Sequence, residues 1–205
     1  MVTKVIQRYI HFKTGYIRWR CLSSSVEKVY LCFSFALLTG LAAQIRIPLP
    51  FTPVPLTGQT FAVLLSGLLL GGRWGAVSQL MYVGMGGCGI PWFAGWKGGF
   101  LHLLGPTGGY LAGFIPAAFL AGQITSSSFI LKRLHLSLFC LAAANFLLIH
   151  GTGLLGLYLW MGASSGIFPH PLQLFKMGTV PFIPGDVIKI LFALFFTRKF
   201  LLPPL

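Results

Sequence analysis

Asp186 and Lys189 stand three residues apart in Pro184-Gly185-Asp186-Val187-Ile188-Lys189, at the head of an apolar run over residues 190–196. On a helix that spacing puts a carboxylate and an ammonium on one face. Asp186 and Glu27 are the only acidic residues in the chain. An ionisable group inside apolar sequence is costly to keep and is a functional candidate by default. Two readings stand side by side. Asp186 is a ligand group, or it caps the helix behind Pro184-Gly185 while Lys189 snorkels toward headgroups.

The chemistry such a pair offers is recognition rather than catalysis. General acid–base work by paired carboxylates is excluded, because Glu27 lies at the inner end of the first apolar segment and Asp186 at the outer end of the last. The chain has no Gly-x-x-x-x-Gly-Lys-Ser/Thr loop and no Gly-x-Ser-x-Gly elbow. His11, His102, His135, His150 and His170 include no pair at the i, i+4 spacing of a metal-binding helix face. Cys21, Cys32, Cys88 and Cys140 form no Cys-x-x-Cys pair and read as free thiols. An enzyme is therefore poorly supported; neither a metal nor a cofactor is expected.

The elements that must position the pair are membrane helices. Of 205 residues, 56% are hydrophobic and only 8% charged, with a mean hydropathy of +0.83. Soluble domains carry about 25% charged residues. Six apolar segments span residues 29–45, 57–70, 75–90, 107–124, 134–161 and 185–200. A helix needs about 20 residues to cross the hydrocarbon core, so the second and third must be extended, tilted or embedded in the bundle. The expected architecture is all-α: one six-helix membrane domain over residues 29–205, preceded by a basic cytoplasmic tail over residues 1–28.

Placing the N-terminus inside leaves eleven Lys and Arg residues on the inner side, including Arg73, Lys132, Arg133, Arg198 and Lys199. Four remain outside: Arg46, Lys97, Lys176 and Lys189. That bias predicts both termini in the cytoplasm. It also accounts for the net charge of +13 without nucleic acid. The shaped loops then share the outer side. Residues 46–55 hold four prolines, which favour extended or polyproline backbone. Residues 91–100 hold Trp92, Trp96 and Lys97, and residues 164–184 hold four more prolines. Binding sites favour such loops on a rigid scaffold. Ala36/Gly40, Gly67/Gly71 and Gly109/Gly113 have the spacing that permits close helix approach. The amides Gln59, Gln79, Gln123 and Asn145 need partners if they lie in the apolar region.

Three stretches carry a family resemblance. Residues 44–60, QIRIPLPFTPVPLTGQT, are very similar to the first outer loop of BioY proteins, the biotin-specific substrate-binding subunits of energy-coupling-factor transporters. Leu104-Gly105-Pro106-Thr107-Gly108-Gly109-Tyr110-Leu111-Ala112-Gly113-Phe114 resembles their fourth-segment signature, and Pro184-Gly185-Asp186-Val187-Ile188-Lys189 their closing one. The order is the family's, and the resemblance covers about residues 36–198.

That resemblance implies a six-helix protein of the bacterial cytoplasmic membrane that binds biotin on its outer side. It would act with a transmembrane coupling subunit and two ATP-binding-cassette ATPases, which use the ATP. Asp186 and Lys189 match the family's ligand-contacting pair. Ala36 and Gly40 match the small-residue motif that faces the coupling subunit, with glycine for the usual second alanine. The loop around Gly98-Gly99 would close over ligand. Biotin presents two ureido N–H donors, a ureido carbonyl, apolar fused rings and a carboxylate tail. Asp186 would accept from the ureido N–H, and Lys189 would pair with the tail or with Asp186. Tyr82, Trp92, Phe93 and Trp96 would wall the rings, Lys97 would meet the tail, and Gln59 and Asn145 would serve the ureido carbonyl. The rival readings are a subunit for another vitamin and a self-sufficient channel or facilitator lined by Asp186.

Overall fold

The computed structural model describes residues 24–201. Most of the basic tail expected over residues 1–28, with Cys21, lies outside the described residues.

Helix α1 (Ser25–Gln44) opens on a reciprocal cap. The Ser24 hydroxyl accepts from the Glu27 N–H at 3.3 Å, and Glu27 Oε2 accepts from the Ser24 N–H at 3.2 Å. One of the chain's two carboxylates is thereby spent on a helix start. The chain then forms a short antiparallel hairpin, β1 (Arg46–Ile47) against β2 (Leu56–Thr57), with Arg46 opposite Thr57. The polyproline expectation for this loop misses that pairing. Its four prolines fall between the two strands, where no ladder N–H is required. The Gly58 N–H closes the hairpin onto α1 by donating to the carbonyls of Ala42 and Ile45 at 3.1 and 3.0 Å.

Helix α2 (Gln59–Leu70) has Ala62, Val63, Leu64, Leu65, Ser66, Gly67 and Leu68 all buried. A helix apolar all round belongs inside a bundle, which is why this one can be short. Helix α3 (Gly72–Gly87), the one-turn α4 (Phe100–Leu103) and α5 (Gly108–Ser126) follow. After the short α6 (Ser128–Lys132) comes the long α7 (Leu134–Ser165). Residues Ala143–His150 of α7 are wound as a π-helix. The third outer connection, expected as a proline-rich loop, contains α8 (Pro171–Gly178) and a 3₁₀ turn at Val180–Phe182 before α9 (Ile183–Leu201). Pro171 starts α8 because its fixed φ and missing N–H suit the first helical position.

Glycines mark the crossings. A Cβ on Gly67 would strike the Ala118 carbonyl of α5, and one on Gly109 would meet Gly156 of α7 at 2.9 Å. Both small-residue pairs therefore serve contacts within the chain. Gln79, fully buried on α3, donates to Ser66 at 3.1 Å and Thr39 at 3.3 Å, tying α3 to α2 and α1.

Ala36 and Gly40 require a correction. Both lie on the buried face of α1 with Cys32, Thr39 and Ala43. Ala36 has no exposed surface, and a Cβ on Gly40 would stand 3.0 Å from that of Trp92. A four-residue small pair looks the same in sequence whether it faces its own bundle or a partner. The exposed face of α1 is instead Tyr30, Phe33, Leu37, Leu38 and Leu41.

Among the described residues, three helical stretches are long and apolar enough to cross a membrane: Ser25–Gln44, Leu134–Ser165 and Pro171–Lys199, with Gln59–Leu70 a shorter apolar helix. Most of their large outward side chains are apolar, as with Phe139 at 72% and Phe195 at 66% exposure. Apolar side chains facing outward on long helices fit a lipid solvent and would be a liability in water.

Candidate functional site

At the end of the bundle that carries the proline and tryptophan loops lies a cavity of about 50 Å³. Val54 and Pro55 from the hairpin loop and Phe93 and Ala94 from the next outer loop cover it. Leu111 and Phe114 of α5, Ile149 of α7 and Phe182 before α9 form apolar walls. Asp186 and Lys189 line it with Thr57, Gln59 and Thr60, while Tyr110, His150, His102 and Thr107 complete its polar groups.

Asp186 is the hub, with only 2% of its surface exposed. Its Oδ1 accepts from Lys189 Nζ at 2.9 Å and from the Thr60 hydroxyl at 3.2 Å. Oδ2 accepts from Asn145 Nδ2 at 2.9 Å and contacts His150 Nε2 at 2.7 Å. The capping reading fails: these partners are side chains of α2, α7 and α9 itself, not the N–H groups of its own first turn. Nor does Lys189 snorkel, since its ammonium also donates to Thr60 at 3.0 Å. A carboxylate offers about four acceptor sites, and these four groups fill them. Asp186 thus organises the floor of the cavity.

The π segment explains how α7 supplies two of those groups. On an α-helix, positions five apart are rotated by roughly 140°. π bonding joins i to i+5 and brings such residues over one another, so Asn145 and His150 reach the same carboxylate oxygen.

Gln59 is buried and held at both ends. Its Oε1 accepts from the Thr57 hydroxyl at 2.9 Å, and its Nε2 donates to the Tyr82 hydroxyl at 2.7 Å. Tyr82 and Trp92 stand behind the cavity wall instead of lining it. Trp92 Nε1 donates to the Tyr82 carbonyl at 2.9 Å, and Tyr82 meets Phe93 edge-on with ring centroids 5.4 Å apart. Of the expected aromatic wall, only Phe93 faces the chamber. Large rings with one polar atom are buried most cheaply where that atom finds a partner, and Tyr82 and Trp92 satisfy each other.

Trp96 and Lys97 lie outside the lining. Trp96 is 67% exposed, at φ 58° on the tip of a turn closed by the Phe93 N–H to the Lys97 carbonyl. Its N–H donates to Gln44 Oε1 at 3.1 Å, while Gln44 Nε2 donates to the carbonyls of Trp92 and Phe93. Gln44 is the clamp that holds this loop to α1. Gly98 and Gly99 fasten its other end: the Gly99 N–H donates to the Gly86 carbonyl at 2.7 Å, and a Cβ on Gly98 would crowd Ile90.

Sequence reasoning missed Thr60, His102, Tyr110, His150 and Phe182. In the sequence His150 stands only among the histidines that lack a metal-binding pair. The signal available was a lone ionisable ring within a long apolar run in a chain with one comparable acid. His102 stacks on Phe93 at 5.2 Å and contacts Thr107 at 3.3 Å. Burial first, and then the Lys97 charge, hold its imidazole below the ordinary histidine value. Among the described residues no group of three His, Cys, Asp or Glu could hold a metal ion, and Cys32, Cys88 and Cys140 are free.

The fold and the site define a helical membrane protein with a small-molecule chamber at one end, closed above by shaped loops. Residues 14–202 match the model of the BioY family, and the chain belongs to that family. It is 46% identical over 134 residues to "Probable biotin transporter BioY" of Methanothermobacter thermautotrophicus, covering 65% of this chain and 85% of that protein. It is 34% identical over 167 residues to "Biotin transporter BioY" of Rhodobacter capsulatus, covering 75% and 85%. Among solved structures it resembles the S-component for biotin from an ECF-type ABC transporter, with a TM-score of 0.73 and 25% identity over 85% of this chain and 90% of that one.

Proposed function

We propose that the chain is the biotin-binding subunit of an energy-coupling-factor transporter in the cytoplasmic membrane. It would capture biotin from the outer side and deliver it with a transmembrane coupling subunit and two ATPases. The observation that carries this reading is the chamber itself, apolar on its walls and charged at one point on its floor, in a chain of the BioY family. Biotin's fused rings would lie against Phe93, Phe114 and Phe182, which line the chamber. Gln59 Oε1, with one lone pair on Thr57, is the acceptor for a ureido N–H. The Lys189 ammonium has three donors, of which Asp186 and Thr60 take two; the third serves the ligand.

Below the Asp186 cluster the interior is filled by Leu64, Leu68, Ile190 and Leu194, all buried. That packing favours a binding subunit over a self-sufficient channel. Vesicles containing this chain alone, given labelled biotin, should retain about one ligand per protein and accumulate none in the lumen. Free passage of biotin across them without partner subunits would favour the channel.

A further inference from the structure

The two ring nitrogens of His150 face two oxygens. Nδ1 lies 3.0 Å from the Gly178 carbonyl, and Nε2 lies 2.7 Å from Asp186 Oδ2. A carbonyl only accepts, so Nδ1 carries a proton. The Nε2 contact needs a proton as well, because two facing lone pairs at 2.7 Å would repel. Whether that second proton rests on the ring or on the carboxylate, the His150–Asp186 pair has no net charge. Three aromatic rings enclose the imidazole: Tyr110, Phe146 and Phe182, with centroids 5.6–5.7 Å away. The charged or titratable groups around it are Asp186 and Lys189 on α9 and the Tyr110 phenol on α5, which donates to the same Gly178 carbonyl at 2.7 Å. From α2 comes only the Thr60 hydroxyl.

We infer that His150 sets the charge of the chamber. By neutralising Asp186 it leaves the Lys189 ammonium as the site's net charge, available to a ligand carboxylate. Asp186 and Lys189 alone would make a neutral pair, and a carboxylate entering a low-dielectric chamber would then lose its hydration without compensation. With His150 present the chamber carries one positive charge and selects an anionic tail. His150 acts through Asp186, so it is a positioning residue. The inference rests on the biotin reading above.

Binding of biotin and of its neutral-tailed amide by the full chain tests it. His150→Gln keeps a donor to Asp186 but brings no proton for the pair. Its preference for biotin over biotinamide should fall roughly tenfold or more, as for a buried charge pair that loses its partner. The double variant His150→Gln/Asp186→Asn is neutral at both positions and should recover that preference, even with weaker binding overall. Equal losses for the two ligands in folded His150→Gln would reduce His150 to a structural prop and overturn the inference. The wild-type chain gives a second measure, calorimetry of biotin binding in two buffers of different ionisation heat. Because the pair already holds its proton, no proton uptake is expected at neutral pH; uptake of about one proton would contradict the charge assignment. Failure of wild type to bind either ligand would remove the biotin reading itself.

Discussion

Asn145 donates through Nδ2 to Oδ2 of Asp186 at 2.9 Å, across 41 residues of sequence. Neither side chain has more than 2% of its surface exposed, and the bond joins α7 to α9 at the floor of the chamber. Hydrogen bonds to charged groups contribute about 1.5–3 kcal/mol. Asn145→Leu should therefore lower thermal stability in detergent and weaken biotin binding together. A variant with wild-type melting would show that the bond contributes nothing.

Asp186→Asn keeps the shape of the hub and removes its charge. Lys189 and His150 lose the carboxylate they both bond, and one donor now faces an amide hydrogen. Breaking a buried pair costs about 3–5 kcal/mol, so biotin affinity should drop by a factor of ten or more, roughly 1.4 kcal/mol per decade. An unchanged dissociation constant would remove Asp186 from the binding account.

Trp96 and Lys97 are both exposed and outside the chamber lining. Substituting either with alanine should leave the biotin dissociation constant within about twofold, as for surface changes of up to about 0.5 kcal/mol. A loss of a decade or more in either variant would place the outer turn on the ligand.

His102 contributes a pH dependence outside the spans. Its imidazole is held below the ordinary histidine value by burial and then by Lys97, so the unfolded chain takes up the proton first as pH falls. The stability that neutral His102 contributes is complete above about pH 6.5 and is lost as the pH drops through the folded-state value. Melting temperatures compared between neutral and mildly acidic pH should fall for wild type and fall less for His102→Asn. Equal slopes for the two proteins would assign the acid sensitivity elsewhere.

Much of the fold was legible because apolar runs and proline clusters report helices and their ends directly. The apolar segments correspond to α1, α2, α3, α5, α7 and α9 with ends displaced by a few residues. The placing of Asp186 and Lys189 on one helix face followed from spacing alone. What the sequence hid depends on packing or on a change of helical winding. Asn145 and His150 share a target only through the π segment, which no α-helical periodicity foretells. Ala36 and Gly40 face inward because Trp92 packs against α1, a contact between distant residues. Tyr82 and Trp92 were expected at the ligand because aromatic residues near outer loops look alike in sequence. Their mutual hydrogen bonds put them behind Phe93.

Calorimetric titration of the purified, detergent-solubilised chain with biotin, with riboflavin and thiamine as controls, addresses the central claim most directly. Saturable one-to-one binding of biotin, with no heat from the other two, is the predicted result. No heat from biotin in protein shown to be folded, or equal binding of all three, would contradict it.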